Sequence, residues 1–250
     1  MKLVIFGATG GTGRALVEQA LKQGHVVTAF ARNPAKVLSA SGNLKVVKGD
    51  ILNFESVETA IEGQDAVLSA LGVKPRVWLI VIAALAAQVL ARVLSLSGEF
   101  NLIVRIGVPV LAILIFTRRN RTLSNGTKNI VQAMEKRGVK IFVCESSLGI
   151  GDSRGQLGFL YSYVLAPLLL RGIFADKESQ EAIIQSSTLD WVIVRPAALT
   201  NGPRRGTYRV GARVGHWFPT ATISRADVAD FMLKQLTEHA YLRKTPGIAY

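Results

Sequence analysis

The chain predicts an α/β fold, a doubly wound parallel sheet that carries one inserted apolar helical hairpin. Three observations predict it. Short apolar runs rich in β-branched residues alternate with stretches of good helix formers, the pattern of strands buried on both faces between covering helices. A glycine-rich turn joins the first strand to the first helix. One segment, residues 77–116, is too long and too apolar to be a plain link between strand and helix.

The first strand is the run Leu3 to Phe6. Gly7, Gly10 and Gly13 follow at once, and Ala15 to Leu21 then reads as helix. Glycines in a strand-to-helix turn have distinct uses. Gly7 permits the tight turn, Gly10 lets backbone approach a pyrophosphate, and Gly13 allows the helix to pack close to the sheet. The free N–H groups of the helix then point at phosphate oxygens. Candidate cofactor-binding residues here are therefore Gly7, Thr9, Gly10, Gly11, Thr12, Gly13 and Arg14.

The Gly-x-x-Gly-x-x-Gly spacing, with Thr9 and Arg14, resembles the short-chain dehydrogenase/reductase superfamily. It is more similar to the atypical, NmrA-like branch that includes flavin and biliverdin reductases. The resemblance runs through nearly the whole chain except about residues 75–121. It implies one NAD(P)-binding Rossmann domain over residues 1–250, with 75–121 as an insertion.

The second strand spans Val26 to Ala31, and His25 before it reads as a turn residue. About twenty residues past the glycines, an NAD-specific fold places an acid on the ribose 2′-OH. Here Arg32 occupies that region and no acid is near. A guanidinium forks onto a 2′-phosphate that a carboxylate would repel, and Arg14 reaches the same region. The cofactor expected is NADP(H). Asn33-Pro34 opens a short helix over Ala35 to Ser39, and Leu44 to Lys48 is the third strand. The family resemblance implies that Asp50 and Ile51 lie against the adenine. On its own residues, Asp50 or Asn53 caps the helix that begins there. The fourth strand, Asp65 to Gly72, ends in small residues. Ala70, Leu71 and Gly72 are placed beside the cofactor, Gly72 because it lets backbone pass close.

Val77 to Leu96 and Leu102 to Phe116 are two apolar runs around a polar break at residues 97–101. The first is long enough to be a membrane-helix candidate and the second falls short of the ~20 residues a span needs. Lys74 and Arg76 precede the pair, and Arg118, Arg119 and Arg121 follow it. That asymmetry obeys the positive-inside rule. Two readings stand: a hairpin docked on a membrane surface, or a buried or subunit-pairing helical pair. The resemblance implies a short polar connection here, so the insertion departs from the family.

Ser124 to Met134 is an amphipathic helix ended by Gly138, and Val139 to Glu145 is the fifth strand. Ser146 and Ser147 follow at its carboxyl end, the edge where open α/β sheets bind ligands. By resemblance they match the serine that orients substrate. Lys177 matches the family lysine and would bond the nicotinamide ribose. The tyrosine expected four residues earlier is Ile173. Standard tyrosine-donated carbonyl reduction is thereby in doubt, and Tyr161 and Tyr163 lie upstream in an apolar segment. The sixth strand, Leu189 to Val194, runs into Arg195-Pro196, and the resemblance puts Pro196 in a turn lining the nicotinamide. Residues 201–215 read as a loop or hairpin, with His216 and Trp217 beside the substrate mouth. Ser224 caps a last helix from Arg225.

Composition sets the remaining limits. The net charge is +13, from 30 Lys+Arg against 17 Asp+Glu, which suits a phosphorylated ligand or an anionic surface. No zinc-finger signature, RNA-binding signature or basic helix interleaved with aromatics is present, so no nucleic-acid partner is expected. No metal-ligand cluster or repeat is visible. The single cysteine, Cys144, sits in an apolar run and reads as packing. The N-terminal residues enter the first strand without the build of a secretory leader, so a cytoplasmic, reducing compartment is expected. The function expected is NADP(H)-dependent hydride transfer to a small conjugated acceptor such as a flavin, quinone or biliverdin-like molecule. The alternative is a non-catalytic NADP(H)-binding redox sensor or membrane-linked assembly factor.

Overall fold

A computed structural model describes residues 1–37, 41–73, 82, 84–89, 92, 103–108, 121–159, 162–163, 170–216 and 220–250. In order, the elements are β1 (Lys2–Phe6), α1 (Gly11–Lys22), β2 (Val26–Ala31), β3 (Leu44–Lys48), α2 (Phe54–Ile61) and β4 (Ala66–Ser69). Then come α3 (Thr122–Arg137), β5 (Ile141–Glu145), α4 (Arg171–Gln185), β6 (Asp190–Pro196) and β7 (Ala198–Thr200). The chain closes with β8 (Arg209–Gly211), β9 (Thr222–Ser224), α5 (Arg225–Lys234) and β10 (Gly247–Ala249).

One eight-stranded sheet has the order β3-β2-β1-β4-β5-β6-β10-β8, and β7 and β9 form a small second sheet. Every pair in the large sheet is parallel except β10 with β8. The strand order reverses at β1, between β2 and β4. Such a switch point opens the crevice where doubly wound sheets bind ligands, and the glycine turn lies at its mouth.

Both faces of the central sheet are covered, which explains why β1, β4 and β5 are apolar nearly throughout, while the edge strand β3 stays largely exposed. Leu3, Ile5, Leu68, Val143, Val194 and Ile248 pack toward α1 and α5. Val4, Phe6, Val67, Phe142 and Ile193 pack with Ile61, Ile130, Met134 and Ile184 on the other side. Cys144 belongs to that second core, and burial pushes its thiol up to about 12, as a packing residue requires.

Local readings differ in places. Of the helix expected at Ala35–Ser39, residues 38 and 39 lie outside the described residues; before them the chain forms a 3-10 turn over Pro34–Lys36, where Asn33 accepts a bond from the Ala35 N–H. Asn53, not Asp50, caps α2 by accepting from the Ser56 N–H. The loop or hairpin at 201–215 contributes β8, which pairs with β10 and extends the sheet.

Most of the two apolar runs at 77–116 lies outside the described residues. Of those described, 84–89 are helical and Ile103–Gly107 form a π-helical turn. No helix among the described residues is long and apolar enough to cross a membrane.

Candidate functional site

The glycine turn shows why each glycine is needed. Gly7 has φ +80°, the left-handed region, and a Cβ there would lie 2.7 Å from the Ala70 carbonyl carbon. A Cβ on Gly13 would overlap the Gly7 carbonyl oxygen and approach the Ala8 Cα to 2.9 Å. These two glycines therefore let the turn, β4 and α1 close on one another. Gly10 differs. Its N–H donates to the Gly7 carbonyl at 2.9 Å, and a Cβ would meet that same oxygen at 3.2 Å with little else around it. Gly10 and Gly11 are exposed.

The start of α1 lacks the side-chain acceptor that α2, α3 and α5 possess, a lack it shares with α4. Asn53 caps α2, the Asp176 carboxylate accepts from Leu123 and Ser124 N–H at the start of α3, and Ser224 caps α5. At α1 there is no capping side chain and no acid in the first turn. The orphan N–H groups of a helix start need an acceptor, and an anion supplies one with the helix dipole in its favour. Arg14 and Arg32 are both exposed, and neither enters an ion pair among the described residues. The uncapped, exposed turn and its unpaired cations fit a dinucleotide diphosphate.

Other expected cofactor residues fall around the same edge. Ala70 is buried with its N–H donating to the Phe6 carbonyl, Leu71 is half-buried, and Gly72 is exposed with open space where a Cβ would stand. Thr9 is half-buried. Asp50 is exposed and accepts from the Leu52 N–H, so its carboxylate holds the turn after β3. Ile51 is buried against Gly126 of α3, where a Cβ would come within 2.7 Å of the Ile51 Cδ1.

At the carboxyl end of β5 the sheet edge gathers polar groups. Lys177 Nζ, from α4, donates to the Ser146 carbonyl at 3.1 Å. The Ser146 hydroxyl is buried and has no partner among the described residues, and the buried Ser69 hydroxyl lies against the Cys144 thiol. Ser147 Oγ donates to the Leu148 carbonyl at 3.0 Å. Pro196 is buried, and its carbonyl accepts from Leu148 N–H, which ties β6 beneath the serine turn. Ile173, at the tyrosine position, is half-buried. Tyr161 and Trp217 lie outside the described residues, and His216 bonds Arg209.

Two residues at this edge escaped the sequence reading. Glu145, the last residue of β5, is buried, and its Oε1 accepts from Thr12 Oγ1 at 3.0 Å. It links the glycine helix to the serine turn. Burial pushes its carboxyl up from the usual range, while Lys177, the Thr12 bond and Arg225 work against that. Arg225, the first residue of α5, lays its side chain along Gly11. The Gly-Thr-Gly spacing could not have signalled either, since both arrive from distant parts of the chain.

A cavity of about 560 Å³ lies elsewhere, lined by Asp152, Arg154, Glu178, Glu181 and Arg195 among others. Its charges are spent on each other. Arg195 donates to both oxygens of Glu181 at 3.0 and 2.6 Å and also to Asp152, and Arg154 pairs with Glu178. With these charges paired among themselves, the open edge at α1 is the stronger candidate.

The chain matches a family described as NAD(P)H-binding over residues 7–100 and 106–239. That match takes in the glycine turn, the serine turn and α5. The chain belongs to the NAD(P)H-binding family. It is 28% identical to an uncharacterized chloroplastic protein of Arabidopsis thaliana over 82% of its own length and 61% of that protein's. It is 24% identical to the Photosystem II assembly factor Ycf39 of Synechocystis, over 98% of its own length and again 61% of the relative's. The chain thus spans about three-fifths of these curated relatives. Among solved structures, ChuY, an anaerobillin reductase from Escherichia coli O157:H7, aligns with a TM-score of 0.68 at 18% identity. That alignment covers 99% of this chain and 96% of ChuY, and it shows a shared fold. The expected resemblance to atypical short-chain reductases is borne out, as is a nicotinamide cofactor.

Proposed function

We propose that this family member is an NADP(H)-dependent reductase that passes hydride to a small conjugated acceptor such as a flavin, quinone or linear tetrapyrrole. The observation that carries the phosphate preference is Arg32, exposed just after β2 with no acid paired to it among the described residues. The nicotinamide cofactor supplies the hydride when bound. The chain's own residues bind and orient. The turn at Gly10 and the start of α1 hold the diphosphate, and Arg32 with Arg14 meets the 2′-phosphate. Lys177, fixed on the Ser146 carbonyl, faces the nicotinamide ribose. The Ser146 hydroxyl, buried and unpartnered among the described residues, is a donor held ready at the sheet edge. With Ile173 in place of a tyrosine, the side-chain proton donor of standard members is gone, which favours acceptors that take their proton from solvent.

The test is NADPH oxidation across a panel of flavins, quinones and linear tetrapyrroles. Sustained turnover with one of them supports the reading, and Ser146→Ala should then lower kcat more than it alters cofactor affinity. Tight NADPH binding without turnover on any acceptor favours the second reading, a non-catalytic NADP(H)-binding sensor or assembly factor. Ile173 and the relationship to an assembly factor speak for that alternative.

We further propose that the insertion at 77–116 docks on an anionic membrane surface. Ile82, Leu85 and Val89, spaced to share one helix face, are all exposed, and basic residues flank the segment. Replacing 77–116 by a Gly/Ser linker should abolish co-sedimentation with vesicles rich in phosphatidylserine while NADPH binding persists. Equal sedimentation of both proteins would exclude this role.

A further inference from the structure

We propose that Arg225 is a ligand of the cofactor's diphosphate, a guanidinium brought from α5 across the open start of α1. The inference rests on the dinucleotide-binding reading above and adds to it a residue outside the glycine motif.

The geometry is direct. A Cβ built on Gly11 would overlap the Arg225 Cδ and lie 2.7 Å from its Nε. The side chain therefore runs along the first residue of α1, beside the N–H groups that lack an internal acceptor. Gly11 is what makes room for it; any larger residue would displace the guanidinium. The root of the side chain is well held. Ser224 Oγ accepts from the Asp227 N–H at 3.0 Å to cap α5, and Gln19 Nε2 of α1 donates to the Ala226 carbonyl at 2.9 Å. The head is held lightly, by one bond from Nη1 to the Asn201 Oδ1 at 2.7 Å, at an exposed position.

Charge points the same way. Arg225 enters no ion pair among the described residues, so its positive charge is not spent on a carboxylate. Asn201 is neutral and gives up the guanidinium at little cost. Glu145 feels the guanidinium's charge without pairing with it, and the Glu145 Oε1 is engaged by Thr12. An unpaired arginine fork beside a bare helix start is complementary to a diphosphate, which accepts bidentate, charge-assisted bonds. The diphosphate is common to NADPH and NADH. Loss of Arg225 must then weaken both alike, unlike loss of Arg32.

The experiment uses the full chain with Arg225→Gln and Arg225→Lys, titrated with NADPH and with NADH by nicotinamide fluorescence. Melting temperatures are measured without cofactor. Arg225→Gln should raise both dissociation constants about 10- to 100-fold, by similar factors, and Arg225→Lys should restore part of the loss. The dependence of affinity on salt should also flatten in Arg225→Gln, since one phosphate contact is gone. Wild-type affinity in Arg225→Gln overturns the proposal. A loss confined to NADPH overturns it too, because the residue would then read the 2′-phosphate. If Arg225→Lys binds as poorly as Arg225→Gln and both melt early, the position is packing and the proposal fails. Wild-type protein that binds neither dinucleotide would sink the cofactor reading itself, a separate result.

Discussion

Gly13 and Gly10 lie three residues apart in one motif, yet the structure assigns them opposite consequences. A Cβ on Gly13 would overlap the Gly7 carbonyl oxygen and sit 2.7 Å from its carbon and 2.9 Å from the Ala8 Cα. All three are backbone atoms that cannot rotate away. Overpacking costs about 1–3 kcal/mol, and a backbone obstacle puts Gly13→Ala at the upper end. Alanine's better helix propensity offsets about 1 kcal/mol of that. The net loss of about 2 kcal/mol corresponds to a fall in Tm of about 4–8 °C for a chain of this size. At Gly10 the new Cβ meets only the Gly7 oxygen, at 3.2 Å, and the residue is otherwise open. Gly10→Val therefore loses no more than a weak cap preference, about 1 kcal/mol or less. It fills the space the diphosphate needs, so NADPH binding should vanish from a folded protein. Thermal melts with circular dichroism and a fluorescence titration on both variants check this. A Gly13→Ala protein that melts like wild type, or a folded Gly10→Val protein that keeps NADPH affinity, refutes the reasoning.

Three further outcomes are expected. Arg32→Asp should weaken NADPH about 10- to 100-fold while leaving NADH nearly unchanged, and equal losses in parallel titrations would remove Arg32 from the 2′-phosphate. Glu145, raised by burial, stabilises the fold fully below the ordinary carboxylate value of 4.5 and loses that contribution as pH climbs toward its higher folded value. Wild type should therefore lose stability relative to Glu145→Gln as pH rises above about 4.5, and Tm differences of the opposite slope would contradict the burial argument. Glu181→Leu leaves Arg195, which is 4% exposed, with Asp152 as its one remaining carboxylate partner among the described residues, and should cost about 3 kcal/mol or somewhat less in urea melts. The double variant Glu181→Leu, Arg195→Met should recover most of that, and a double variant as unstable as the single one would show that the pair is not the cause.

The sequence was most legible where the signal is local. Leu3 to Phe6, the three glycines and the helix after them needed only neighbours to be read, and the strands β2, β3 and β5 show the same economy. Gly138 ends α3 with φ +72°, as its position suggested. Legibility failed where partners come from far along the chain. Glu145 looked like the polar end of a strand, and nothing nearby in sequence says that Thr12 lies against it. Arg225 looked like the first residue of a capped helix. The strand β10 is three residues long, too short for a periodic signal, and forms because β6 and β8 offer it edges on both sides. Asp50 and Asn53 could not be separated by propensity alone; backbone direction after β3 decided between them.

The account turns on a nicotinamide dinucleotide seated at the start of α1, with its 2′-phosphate read by Arg32. Titrating the wild-type protein with NADPH and NADH under one salt condition, following nicotinamide fluorescence, tests this most directly. The account predicts saturable binding of both, with NADPH tighter by about tenfold or more. NADH binding as tightly as NADPH, or no binding of either, would contradict it.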